Sequence, residues 1–207
     1  MSLHVEKLVF GYGSRWLFEG FSAQASAGVT WVQGANGSGK STLLRLLGGA
    51  MVPQHGRFAL AGTHFAAGER VAPLAWRRQT FWCPSEPPPT PWLTVAECLA
   101  FVSGTYPGDH AQALREHVDA FGLGKALETP LRAASLGQQR KTLLAVALAL
   151  PVKLLLLDEP FNALDAASVQ HLTRTLDERA ERGEQVILLT SHVEPHVPVL
   201  NRWVLDA

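Results

Sequence analysis

The chain has 207 residues, 47% of them hydrophobic, and no formal net charge, which fits one domain with a sizeable core or one domain carrying a small lobe. No block of like charges is present, so neither a nucleic-acid-binding stripe nor a polybasic membrane patch is expected. The two cysteines, Cys83 and Cys98, lack CxxC spacing, and the N-terminus lacks a basic region followed by an apolar run. A disulfide framework, a zinc site and a signal peptide are thereby disfavoured.

In chain order, residues 3–10 alternate imperfectly and predict an edge strand, and residues 21–26 and 56–60 predict further short strands. Val29–Gln33 reads as a buried strand feeding a glycine-rich segment. A helix over 40–48 follows, ended by Gly48 and Gly49. Pro84–Pro91 holds five prolines in eight positions and can be neither helix nor central strand. Residues 95–103 and 109–121 carry apolar side chains at helical spacing. The stretch from about 85 to 150 therefore reads as a small helical lobe inserted between parallel strands, with 1–84 and 151–207 forming the main body. Thr142–Leu157 is the most apolar run, but it is broken by Pro151 and Lys153 and falls short of the roughly 20 residues a membrane helix needs. It predicts the end of a buried helix over 137–150, a turn, and a buried strand over 153–157. A charged helix over 167–182 and strands over 185–190 and 203–205 complete the pattern. Alternating strands and helices imply an α/β fold with a largely parallel, three-layer core.

Two motifs carry the chemistry. Gly34-Ala35-Asn36-Gly37-Ser38-Gly39-Lys40-Ser41 fits G-x-x-x-x-G-K-[ST] between a predicted strand and a predicted helix. Small residues let backbone N–H groups curl around a phosphate while the helix offers its positive end. Lys40 can bridge the β- and γ-phosphates, the Ser41 hydroxyl can hold Mg²⁺, and Thr42 stands next in the first helical turn. Two fixed glycines, a lysine and a Ser/Thr match by chance in under roughly 1% of chains this long. The second motif is Leu154–Leu157 followed by Asp158 and Glu159, an apolar strand ending in two acids where ligands bind in this architecture. Asp158 would complete the Mg²⁺ shell, and Glu159 would polarise an attacking water. Taken alone the pair reads equally well as two surface acids, and the phosphate loop decides between the readings.

Further segments resemble those of the ATP-binding subunits of ABC transporters, across nearly the whole chain. Ala134-Ser135-Leu136-Gly137-Gln138-Gln139 is similar to the Leu-Ser-Gly-Gly-Gln signature, with Ser135, Gly137 and Gln138 kept and Ala134 and Leu136 departing. The resemblance implies that Ser135 and Gly137 bind the γ-phosphate held by a second copy. A plain helix N-cap by Ser135 is compatible with that role. Phe161–Asp165 resembles the D-loop, where Asp165 would communicate across a dimer. Thr190-Ser191-His192 resembles the switch-histidine segment, in which His192 contacts the γ-phosphate and orders Glu159. Tyr12-Gly13 resembles the A-loop, whose aromatic ring stacks on adenine. Ser85 stands where the family usually has glutamine, with Glu86 next; either would reach Mg²⁺ only through water, which makes unusual coupling or hydrolysis an expectation. The stiff stretch Pro87–Pro91 with Trp92 is either a surface loop or the rim of the groove for a permease helix.

The resemblance implies an ABC ATPase fold with an N-terminal antiparallel β-subdomain. It implies binding of ATP and Mg²⁺, catalysis by Glu159, His192 and Lys40, and ATP-driven dimer closure. The implied partners are a second nucleotide-binding subunit and separate transmembrane permease subunits, placing the chain at the cytoplasmic face of the membrane. A compact size resembling the ATPases of cytochrome c maturation and small drug exporters implies no regulatory C-terminal domain. Two other readings are a soluble ABC ATPase of DNA repair or translation, and a nucleotide-binding regulatory module that does not hydrolyse ATP.

Overall fold

The computed structural model describes residues 1–205. Two sheets form its frame. The first is antiparallel, built from β1 (Ser2–Tyr12), β2 (Arg15–Ser26), β4 (His55–Leu60) and β5 (Thr63–Ala66) in the order β2-β1-β4-β5. The second is parallel throughout, in the order β6-β7-β8-β3-β9, from β3 (Gly28–Gly34), β6 (Thr80–Cys83), β7 (Leu154–Leu157), β8 (Val186–Thr190) and β9 (Asn201–Leu205).

Residues 3–10 do not form an edge strand. β1 lies between β2 and β4, and Leu3, Val5, Leu8 and Phe10 are buried along one face. Alternation reports that one face of a strand is covered and says nothing about its neighbours in the sheet. The edge belongs to β2, twice as long as the predicted segment and with few buried side chains to mark it.

The parallel strands are covered on both faces, as a continuous apolar run requires. Leu154 and Leu156 of β7, with Val186 and Leu188 of β8, face the antiparallel sheet and helix α1 (Lys40–Leu47). Leu155, Leu157, Ile187 and Leu189 face the opposite cluster, which contains α5 (Leu136–Ala149) and α6 (Ala166–Arg182). Each such side chain contributes about 1.5–3 kcal/mol by leaving water. α5 is buried along nearly its whole length. It also serves as the spine of the helical lobe, packing against α3 (Val95–Ser103) and α4 (Ala111–Ala120). Helix α2 (Leu74–Arg77), unpredicted and one turn long, carries the buried Trp76, whose indole donates to the Leu47 carbonyl at the end of α1 at 2.7 Å.

The lobe is also tied to α6 by a directed chain of hydrogen bonds. His117 Nε2–H donates to the Leu148 carbonyl (3.1 Å), which leaves His117 Nδ1 to accept from His171 Nε2–H (3.0 Å). Burial first, then the nearby His171 and Arg179, pushes the His117 pKa down to about 4. Among the described residues no helix is long and apolar enough to cross a membrane.

Candidate functional site: a phosphate loop facing two carboxylates

The carboxyl ends of β3, β7 and β8 converge, and the candidate residues gather there. Gly34 closes β3; a Cβ on it would stand 2.3 Å from Ser38 Oγ and 2.7 Å from the Leu205 carbonyl oxygen, so no side chain fits. Gly37 and Gly39 take φ values of 81° and 98°, the left-handed region that glycine enters at no steric cost. Gly39 is the N-cap of α1, whose first helical residue is Lys40. The Lys40 ammonium donates to the carbonyls of Gly34 (2.7 Å) and Ala35 (3.1 Å). It has three donors and is largely buried, so one donor is left for an anion inside the loop.

Opposite stand the acids. Asp158 is buried; its Oδ1 accepts from the Thr190 hydroxyl (2.7 Å), and Thr190 Oγ1 in turn accepts from the Glu159 backbone N–H (2.8 Å). Thr190 thus fastens the end of β7 to the end of β8. It holds Glu159 at a φ of 48°, a left-handed conformation that costs of order 1–3 kcal/mol in a non-glycine residue. The His192 Nε2 lies 3.4 Å from Glu159 Oε1, near enough to attract but not aligned as a hydrogen bond. Asp158 Oδ2 is buried without a partner. A buried carboxylate oxygen left unpaired is costly, and beside Glu159, which lines the cavity together with the Ser41 hydroxyl, it fits a hard, oxygen-seeking cation.

These parts enclose an open cavity of about 430 Å³. Its walls include Tyr12, Asn36, Gly37, Gly39, Lys40, Ser41, Thr42, Ser85, Glu159 and His192. Tyr12 is 47% exposed, packs edge-on against Phe10 with ring centroids 5.2 Å apart, and its hydroxyl lies 3.4 Å from Thr42 Oγ1. Its ring is therefore both fixed and available.

The other sequence-predicted residues lie apart from this cavity. Glu86 is turned away into an ion pair with Arg45 at 2.8 Å, so the structure does not bring it to the cation site; the guanidinium at the end of α1 holds it. Ser135 caps α5: its Oγ accepts from Gln138 N–H (3.2 Å) while the Gln138 side chain accepts from Ser135 N–H (2.8 Å), a reciprocal capping box. Gly137 lies so close to the D-loop that a Cβ would meet the Ala163 carbonyl oxygen at 2.9 Å. Asp165 caps α6 through the Ser168 N–H (2.9 Å) and pairs with Lys141 at 2.5 Å. The Lys141 ammonium first, then the Ser168 amide, holds its carboxyl well below the usual range.

Sequence reading missed three residues. Thr190 is one. Arg140, buried on α5, donates to the carbonyls of Asp158 (2.6 Å) and Pro84, so one guanidinium braces the signature helix, the carboxylate strand and the Ser85 loop. Arg15 is the third, on the cavity wall. Arg140 left no clear signal, standing beside Lys141 in the polar first half of its helix, and Thr190 showed only as the first residue of the switch-histidine segment.

A parallel sheet whose glycine loop and helix N-terminus face paired carboxylates defines the class: a nucleoside-triphosphate-binding α/β protein of the phosphate-loop kind. The sequence profile of the ABC transporter family matches residues 19–162, and the chain belongs to that family. It is similar to the cytochrome c biogenesis ATP-binding export proteins CcmA of Paramagnetospirillum magneticum and Pseudomonas syringae pv. tomato. The first is 39% identical over 94% of this chain and 89% of the relative. The second is 36% identical over 89% of this chain and 85% of the relative. A solved ATP-binding subunit of an ABC transporter superposes with a TM-score of 0.82 at 26% identity, covering 93% of this chain and 80% of that one. The chain is thus an ATP-binding, ATP-hydrolysing subunit of the ABC transporter kind.

Proposed function

We propose that this subunit powers an exporter by binding ATP in the 430 Å³ cavity and hydrolysing it after two copies close together. The observation that carries the reading is the placing of Lys40, Ser41, Glu159 and His192 on one cavity although 152 positions separate the first from the last (192 − 40). The loop amides, the α1 N-terminus and Lys40 grip the β- and γ-phosphates and are preorganised for the charge that spreads over the transferred group. Ser41 and Asp158 would hold Mg²⁺, which shields phosphate charge when bound. Glu159 orients and deprotonates the attacking water, and its fixed backbone and the neighbouring His192 aim the carboxylate. Tyr12 stacks on the adenine.

Ser135, Gly137, Gln138 and Asp165 lie off the cavity and act on the nucleotide of a second copy, so closure completes two sites at once. Separate transmembrane permease subunits receive the motion, which places this chain at the cytoplasmic face of the membrane. The likeness to cytochrome c biogenesis export proteins makes an export system of that type the first to test. Ser85 reaches the cavity where the family's glutamine would stand, and with a shorter arm it bonds a cation only through water.

Glu159→Gln keeps the geometry and removes the base. The variant binds ATP with unchanged affinity and releases phosphate about 100-fold more slowly or worse, in line with the loss of general-base catalysis. Turnover at the wild-type rate would reassign the base.

A further inference from the structure

We infer that Arg15 is a second cation for the nucleotide's phosphate chain, reaching it from the β1–β2 hairpin across the mouth of the phosphate loop. The inference rests on the nucleotide reading above and adds to it a residue that no motif names. Tyr12 and Arg15 are direct cross-strand partners in the β1–β2 hairpin, with only Gly13 and Ser14 between them. Directly paired residues of an antiparallel ladder point to the same face. The hairpin therefore presents an aromatic ring and a guanidinium side by side, and both line the cavity.

The hairpin also lies tightly on the loop. A Cβ on Gly39 would meet Phe18 Cζ at 3.0 Å and Leu17 Cβ at 3.6 Å, and one on Gly37 would meet the Arg15 guanidinium at 3.5 Å. Arg15 spends one donor on the Gly37 carbonyl (3.0 Å) and is otherwise exposed, and among the described residues no carboxylate lies within 4 Å of it. A guanidinium carries five donors in a fixed fork suited to phosphate oxygens, so four remain free at the mouth of an anion-binding cavity. Surface arginines usually rest on an acid or in bulk water; this one is anchored to the phosphate loop itself. With the base on Tyr12, the phosphates run from the hairpin into the loop and pass beneath Arg15. A nucleoside polyphosphate is then held by two cations, Lys40 from the first turn of α1 and Arg15 from the hairpin.

The test is equilibrium binding of ATP to the full chain at several salt concentrations, for wild type, Arg15→Gln, Arg15→Lys and Lys40→Ala. Arg15→Gln should bind about tenfold more weakly, the magnitude of one hydrogen bond to a charged group. Its affinity should also fall less steeply with salt, because one screened charge pair is gone. Arg15→Lys should recover most of both. Wild-type binding by Arg15→Gln, with Lys40→Ala impaired, overturns the inference and leaves the nucleotide site standing. Equal weakening by Arg15→Gln and Arg15→Lys with an unchanged salt slope also overturns it, since the side chain would then merely shape the hairpin. Undiminished ATP binding by Lys40→Ala overturns the nucleotide site instead.

Discussion

The phosphate-loop end of the molecule carries a complete motif and the signature end one that departs at Ala134 and Leu136, and the fold treats the two ends differently as well. At the loop end, Lys40, Ser41, Glu159 and His192 converge on one cavity, and polar atoms are left over: Asp158 Oδ2 and Glu159 Oε1 are buried and unpaired. At the signature end, Ser135, Gln138 and Asp165 are all spoken for, as reciprocal caps or in an ion pair, and none reaches the cavity. Unsatisfied polar groups mark where a ligand completes the chemistry; satisfied ones mark a rigid surface offered to something else. On the proposed reading, one chain would then hold a binding site and, elsewhere, half of a second site.

The comparison breaks most readily at Lys40. Lys40→Ala should cost about 100-fold in ATP affinity, the upper range for one charge-assisted hydrogen bond to phosphate, and should do so in dilute monomer. Titration calorimetry reads this directly, and wild-type affinity would contradict the role of the loop.

Ser135→Ala sharpens the contrast. Its ATP affinity in dilute monomer should match wild type, while phosphate release at high protein concentration falls by about tenfold, the loss of one hydrogen bond to a charged phosphate. Unfolding should also become easier by about 1 kcal/mol through the lost cap. If monomer affinity fell with turnover, the two regions would not be separable.

The effect confined to acid pH, and absent at neutral pH, concerns the tie between lobe and core. His117 titrates near 4 when folded and near 6.5 when unfolded, so between those values the unfolded chain binds the extra proton. Stability is then fully present above pH 6.5 and declines as pH falls toward 4, with a slope of at most about 1.4 kcal/mol per pH unit from this group. His117→Gln, which can still donate to the Leu148 carbonyl, should flatten that part of the curve in urea titrations. An unchanged slope would remove His117 from the account.

Most of this was legible because it is contiguous. Eight consecutive residues build the phosphate loop, and an apolar strand followed by Asp158 and Glu159 declares itself. What escaped was long-range. The Thr190 hydroxyl bonds across 32 positions and Arg140 across 18, and neither spacing exists in the sequence as a pattern. β1 read as an edge strand because alternation records burial of a face rather than neighbours, and β2 read short because an exposed edge strand has little apolar signal. Glu86 read as a cation ligand by its place beside Ser85, and an arginine 41 positions away claimed it.

The most direct test of the central claim is a crystal structure of the Glu159→Gln variant with ATP. The account predicts phosphates lying along the amides of residues 34–41, within hydrogen-bond reach of Lys40, and the residue 159 side chain facing the terminal phosphate. A triphosphate bound anywhere else, or a residue 159 side chain directed away from it, would contradict the account.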